Sequence, residues 1–316
     1  MHEVDIFRHN ELVDPHLAIW GWEIPVYLFL GGLTAGLMIL GALLALRRRD
    51  ERPSRWARWL PFLSPVMLSM GMLALFLDLD FKLHVLRFYL AFRPLSPMSW
   101  GSWILIAIYP ATILAGLSGL DDREIGWLGR TSLVRSLRLG GLLERAHAWS
   151  KGRATALAWV NVVLGVGLGA YTGLLLGTLA ARAVWSSTIL GPLFLVSGLS
   201  TGAAFMMLLP LTDAEHQRLR LWDVGAIGTE LALLGLFLLD LGVSGGERGR
   251  EAAWLFVGGS YTGAFWALVV LGGLAVPLGI ELLESRRKLR PTVMAPLLVL
   301  LGGLSLRWIL VLAGQS

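Results

Sequence analysis

Several acidic and phenolic side chains sit within or against apolar sequence, and their types suit proton-coupled electron chemistry. Glu23 and Tyr27 are four residues apart, so they share a face if that segment is helical. Asp78 closes an apolar run, and Lys82, His84 and Arg87 follow it. Tyr171 lies inside another run, as do Glu230, Asp240, Glu281 and Arg307 further along. A charged group at membrane depth is costly, so each is a functional candidate by default. The six histidines (His2, His9, His16, His84, His147 and His216) fall outside the interiors of the apolar runs. Haem ligation by histidine pairs within helices is therefore not expected. Cysteine is absent, which excludes disulfides, thiolate metal sites and any iron–sulfur cluster held by this chain. No other metal site is suggested.

These groups need elements to position them, and composition says which kind. Of 316 residues, 55% are hydrophobic and only 16% charged, against about 25% charged in soluble domains. So little charge cannot coat two soluble domains. Eight apolar runs are long enough to cross a bilayer as helices: 24–46, 60–79, 101–120, 155–180, 187–211, 223–243, 254–282 and 292–314. Residues 1–21 are polar and carry Glu3, Asp5, Glu11 and Asp14, unlike a signal peptide. The expectation is an all-α membrane protein of eight transmembrane helices.

Lys and Arg orient it. Nineteen lie in the connections after runs one, three, five and seven, and seven in the alternate segments. The richer side is assigned to the cytoplasm, which leaves both termini extracytoplasmic. The net charge of +5 is thus a topology signal, since the basic residues are spread over separate loops. Nucleic acid is not an expected partner.

Two stretches look alike. Gly31-Gly32-Leu33-Thr34-Ala35-Gly36 and Ser197-Gly198-Leu199-Ser200-Thr201-Gly202 each follow a Leu-Phe-Leu and a proline. Phe76-Leu77-Asp78-Leu79 is echoed by Leu238-Leu239-Asp240-Leu241. The expectation is two four-helix bundles related by a parallel repeat. An N-terminal segment 1–21 would precede a bundle 22–180 and a bundle 181–316. Small-residue steps are also common helix packing, which leaves a plainer reading open.

Plain readings stand beside the chemical ones elsewhere. Asp240 and Arg307 could form a structural ion pair between helices. Glu281 could be interfacial, near Arg286-Arg287-Lys288. Glu230 lies about 10 Å inside the inner boundary at about 1.5 Å per residue, which favours a proton-path or inter-helix role.

The run Trp20-Gly21-Trp22-Glu23-Ile24-Pro25-Val26-Tyr27-Leu28-Phe29-Leu30-Gly31-Gly32 resembles the first helix of the NrfD/PsrC family of polysulfide-reductase-type membrane subunits. Ser96-Pro97-Met98-Ser99-Trp100-Gly101-Ser102-Trp103 is similar to that family's entry into its third helix. Tyr171-Thr172-Gly173 and the terminal Arg307…Gly314-Gln315 also fit.

The resemblance implies a quinone-reactive subunit of a respiratory oxidoreductase in a bacterial or archaeal inner membrane. It implies quinone (menaquinone or ubiquinone) as substrate, with no redox cofactor in this chain. The implied partners are an extracytoplasmic ferredoxin-like iron–sulfur subunit, then a molybdopterin oxidoreductase or haem subunit. Tyr171 would be the quinone contact carried over, with Tyr27, Trp100 and Ser99 beside it. Where some family members place Asn and His on helix 1, this chain has Glu23 and Tyr27.

Quinol oxidation releases two protons and two electrons and needs groups that hold the oxygens and take the protons. Glu23, Asp78 and His84 are the candidate proton acceptors. Glu230, Tyr109 and Glu281 are candidates for a path to the cytoplasm. Two other classes remain: a secondary transporter, since parallel repeats and buried carboxylates suit one, and a structural anchor without its own quinone site.

Overall fold

The computed structural model describes residues 20–47, 53–79, 82, 96–136, 138–178, 182–286 and 292–316. His84 and nearly all of the N-terminal segment lie outside them. Among the described residues, eight helices of 18 to 31 residues are long and apolar enough to cross a membrane. No strand occurs among the described residues. The helices are α1 (Glu23–Arg47), α2 (Arg55–Asp78), α3 (Pro97–Gly119), α4 (Asp122–Gly129), α5 (Ser132–Ser136), α6 (Gly140–Lys151) and α7 (Ala154–Gly177). They continue as α8 (Leu190–Met207), α9 (Asp213–Ser244), α10 (Gly246–Val257), α11 (Thr262–Ser285) and α12 (Met294–Ala313). The spans are α1, α2, α3, α7, α8, α9, α11 and α12.

Two boundaries differ from the apolar runs, each for a local reason. Helix α9 starts ten residues before its run, at Asp213. A capping box explains this. Thr212 Oγ1 accepts from Glu215 N (3.3 Å), and Glu215 Oε2 accepts from Thr212 N (3.0 Å). The seventh run, 254–282, is broken: α10 ends at Val257 and α11 starts at Thr262. Gly258 and Gly259 make the break. A Cβ on Gly258 would sit 2.5 Å from the Trp254 ring, and one on Gly259 2.9 Å from Leu255 Cα. Within α11, Phe265–Ala275 winds as a π-helix.

Helix α1 is the most buried span and packs on α2, α7, α8 and α12. Helix α3 packs on α2 and α7; α9 packs on α8 and α11; α12 packs on α8 and α11. The α1–α8 crossing is backbone on backbone. A Cβ on Gly36 would lie 2.1 Å from the Gly198 carbonyl oxygen, and one on Gly202 2.6 Å from Gly36 Cα. The two similar glycine motifs therefore face one another, and no larger residue fits between them.

The basic connections gather at one end. Arg58 at the start of α2 pairs with Asp121 and with Glu124 (3.2 Å), beside α4. Ser54 N donates to Glu215 Oε1 (3.4 Å), and Arg47 lies over the Trp222 ring (5.6 Å). Arg220 pairs with Glu284 near the end of α11 (3.0 Å). The opposite end is tied by Trp20, Trp185 and Gln315. Gln315 bonds the Trp20 backbone twice, through Oε1 from N (2.8 Å) and Nε2 to O (3.1 Å). The rings of Trp20 and Trp185 stack at 5.0 Å.

Candidate functional site

At the end opposite the basic connections, a cavity of about 490 Å³ opens between α3, α7 and the start of α8. Trp100 and Tyr171 line it, as do Ser186, Ser187 and Thr188. Tyr171 is buried and Trp100 is half exposed. Helix α3 brings Trp100 here because Pro97 starts the helix, where its missing N–H costs nothing. Helix α7 brings Tyr171, whose ring lies against Gly101: a Cβ there would be 2.0 Å from Tyr171 Cζ. Gly173, in the last third of α7, lets Leu190 approach, since its Cβ would meet the Leu190 carbonyl oxygen at 2.3 Å.

The polar edge of the cavity is Ser187, whose hydroxyl donates to Asp240 Oδ2 at 2.6 Å. Asp240 is thus held by Ser187 rather than by Arg307. The expected Asp240–Arg307 ion pair does not form. Asp240 lies near the C-terminal end of α9, one turn from Ser244, whereas Arg307 is engaged deeper, by α1 and α8.

Other expected site residues lie elsewhere. Glu23 is half-buried in the first turn of α1, and Asp78 ends α2. Tyr27 is buried in the core cluster that holds Ile24 and Leu28. None of the three lines the cavity. Ser99 is buried one residue before Trp100, and its carbonyl accepts from Ser102 Oγ (2.8 Å). His84 falls outside the described residues.

Tyr109 also stands apart from Glu230 and Glu281. Its hydroxyl is 3.0 Å from Ser69 Oγ, between α3 and α2, whereas both glutamates belong to α9 and α11. Helix α3, which carries Tyr109, packs on α2 and α7, whereas α9, which carries Glu230, packs on α8 and α11.

Arg307 is fully buried. Its Nε donates to the Leu28 carbonyl (3.2 Å), Nη1 to Ser197 Oγ (3.0 Å) and Gly303 O (2.8 Å), and Nη2 to Phe194 O (3.4 Å). It faces the Phe194 ring at 5.2 Å and the Phe29 ring at 5.9 Å. Gly32 makes room for it: a Cβ there would be 2.5 Å from Nη2. Ser197 and Arg307 also neighbour buried Glu230 on α9. One guanidinium thus joins α1, α8, α9 and α12.

Towards the basic end lie groups the sequence reading passed over. Asp223, Glu281 and Ser200 are buried and neighbour one another. Glu284 pairs with Arg220 and accepts from Thr292 N (2.8 Å) and Oγ1 (3.1 Å). The seven-residue spacing of Asp223 and Glu230, which places both on one helical face, was the available signal. For Ser187 it was the Ser186-Ser187-Thr188 run ahead of α8.

A second cavity, of about 300 Å³, lies between α1, α2, α3 and α7 at the basic end. Arg58, Ser64, Ser118, Thr155 and Asn161 supply its polar lining. Among the described residues no group of three or more His, Cys, Asp or Glu side chains converges as a metal site.

A family model described as "Polysulphide reductase, NrfD" matches residues 10–316. The protein is 30% identical to the C component of the polysulfide reductase of Wolinella succinogenes over 312 residues, covering 94% of this sequence and 95% of that one. It is 29% identical to protein NrfD of Escherichia coli over 314 residues, covering 94% and 95%. It is 30% identical to the C component of the selenate reductase of Mesobacillus selenatarsenatis over 328 residues, covering 93% of this sequence and 73% of that one.

Proposed function

The chain belongs to the NrfD polysulphide reductase family of multi-pass membrane proteins, and from that membership we propose that it is the quinone-reactive subunit of an oxidoreductase complex. The observation that carries this reading is the cavity with Trp100 and Tyr171 on its walls and Ser187–Asp240 at its edge. A quinone head group is a flat ring with two opposed oxygens. Aromatic faces suit the ring, and a few placed polar groups suit the oxygens.

In this reading the Tyr171 hydroxyl holds one oxygen of the bound quinol. Asp240 takes a proton through the Ser187 hydroxyl, which already donates to it. Oxidation of one quinol yields quinone, two protons and two electrons. The electrons leave to an iron–sulfur partner subunit on the extracytoplasmic side, because this chain has no cysteine to hold a cluster. That partner would pass them to a molybdopterin or haem subunit. The helices divide into bundles 22–180 and 181–316, with both termini extracytoplasmic, in a prokaryotic inner membrane.

The test is quinol oxidation by the assembled complex carrying Tyr171→Phe and Asp240→Asn. A higher KM and lower turnover are expected. Unchanged turnover, with no quinone retained by the purified wild-type complex, would overturn the site. Solute uptake by the isolated chain would favour the transporter class instead.

A second part of the reading is proton movement between the site and the inner face. Buried Glu230 and Glu281 support it, both lying in the half that holds Arg307. Glu230→Gln in proteoliposomes is expected to abolish membrane-potential generation while quinol oxidation continues.

A further inference from the structure

Helices α4 and α6 turn their apolar faces inward, onto the end of α3. Leu117 and Leu120 at that end form a buried cluster with Ile125 of α4, and Leu143 and Ala146 of α6 pack against it. Nδ1 of His147 on α6 donates to the Leu117 carbonyl at 2.8 Å. Only Leu120 and Asp121 separate α3 from α4, and only Gly152 and Arg153 separate α6 from α7. Both short helices are therefore held where two membrane spans end.

Their outward faces mix cations with large apolar groups. On α4, Arg123 and Trp127, with Arg130 at the cap, recur at i, i+4 and i+7, which is one stripe of the helix. On α6, Leu142, Arg145 and Trp149 recur at i, i+3 and i+7. Trp127 is 60% exposed, Leu142 64% and Trp149 47%. The guanidinium of Arg153 lies 4.6 Å from the centre of the Trp149 ring. Glu144, the acidic residue of α6, falls about 100° round the helix from Arg145, off the stripe.

The chain leaves these cations uncompensated. Segment 121–153 carries seven basic residues against four acidic ones. Three of the acids are engaged elsewhere: Arg58 holds Asp121 and Glu124, and Lys151 (3.4 Å) and His147 (3.3 Å) hold Asp122. Arg123, Arg130, Arg145 and Arg153 are exposed, and among the described residues none of them pairs with a carboxylate. Exposed indole and leucine side chains are costly in water. Indole rings favour the boundary between head groups and acyl chains, and guanidinium groups meet phosphate in paired hydrogen bonds.

We propose that the outward faces of α4 and α6 bind anionic phospholipids of the leaflet at the basic end. The four arginines meet the phosphates, and Trp127, Leu142 and Trp149 meet the upper acyl chains. Lipid fits better than a protein partner because both helices are fixed at the level where spans leave the bilayer. Basic clusters at that level attract anionic head groups. The surface is independent of the quinone reading.

The test is electron paramagnetic resonance of spin-labelled phosphatidylglycerol and phosphatidylcholine around the purified full-length chain in phosphatidylcholine liposomes. The immobilised fraction should be larger for phosphatidylglycerol. That excess should fall in Arg123→Gln/Arg130→Gln and in Arg145→Gln/Arg153→Gln, vanish when all four are changed, and persist in Arg248→Gln, an exposed residue of α10. Circular dichroism checks that each variant folds. No excess in the wild type, or an excess untouched by the fourfold change, would overturn the surface. So would an excess abolished by inorganic phosphate at matched ionic strength, which would assign the arginines to free phosphate. A spin label on Gly126→Cys reports depth: a Cβ there meets nothing within 4 Å, and no native cysteine competes for the label. The label should collide more with lipid-soluble oxygen than with an aqueous nickel complex. A label lying in water on the isolated chain and shielded only in the assembled complex would make a protein the occupant and sink the proposal.

Discussion

The ring of Tyr171 rests on the bare backbone of Gly101, where a Cβ would come within 2.0 Å of Tyr171 Cζ. Helix α3 therefore sets the position of a side chain that belongs to α7. The contact fixes the ring plane along one wall of the cavity. Gly101→Ala should push the ring from that wall and raise the KM for quinol in the assembled complex. Tyr171→Phe keeps the ring and removes only the hydroxyl. Its loss should be about 1 kcal/mol, roughly fivefold in KM. If Gly101→Ala left KM unchanged, the ring would have no part in holding the substrate.

The α1–α8 crossing predicts a contrast between two glycines of one helix. Gly36→Ala puts a methyl 2.1 Å from the Gly198 carbonyl oxygen. Overpacking of this kind costs about 1–3 kcal/mol, read as a lower melting temperature in detergent. Gly41→Ala meets nothing within 4 Å. It should be neutral or slightly stabilising, because alanine is the better helix former. Equal effects at the two positions would show that the helices are not in backbone contact.

Arg307 supports four helices through one planar group. Arg307→Ala would strand the Leu28, Gly303 and Phe194 carbonyls, the Ser197 hydroxyl and Glu230. Breaking a buried charge arrangement from one side costs about 3–5 kcal/mol. Arg307→Lys keeps the charge but loses the fork that meets three helices at once, so it should recover only part of the stability. Asp240→Asn should leave the melting temperature close to wild type, since Asp240 is half-buried and its bond is to the neutral Ser187 hydroxyl. A large loss there would instead argue for a pair with Arg307.

Stability should also depend on acid pH at the basic end. His147 Nε2 and Lys151 hold the exposed Asp122 carboxyl below its ordinary 3.8. A carboxyl lowered on folding contributes above its unfolded value and loses that contribution as pH falls through its folded value. The wild type should melt slightly above Asp122→Asn at neutral pH, and the gap should close in strong acid. Because Asp122 is exposed, the effect is small and screened by salt.

Much of the fold was legible because lipid imposes a simple rule: about twenty apolar residues per crossing. That rule located all eight spans. It failed where length was decided by something other than hydropathy. The capping box at Thr212 extended α9 into polar sequence, and Gly258-Gly259 divided an unbroken apolar stretch into two helices. The site was less legible. Tyr171 and Trp100 meet at one cavity, which their spacing in the sequence could not have told. Asp240 and Arg307 were matched by charge and rough depth, and each found a neutral hydrogen-bond partner instead. Asp223 passed unremarked because it lies at the edge of its apolar run, although helical periodicity aligns it with Glu230. Partners across helices are set by rotation about each axis, and an isolated sequence does not fix that rotation.

The glycine crossing has a mechanical side. Where side chains interleave, two helices can slip by exchanging rotamers, a little at a time. At Gly32, Gly36, Gly198 and Gly202 no such layer exists, and the guanidinium of Arg307 fills the adjoining gap like a dowel. Helices α1 and α8 are therefore locked at one offset where they cross, with no layer of side chains on which either could slide.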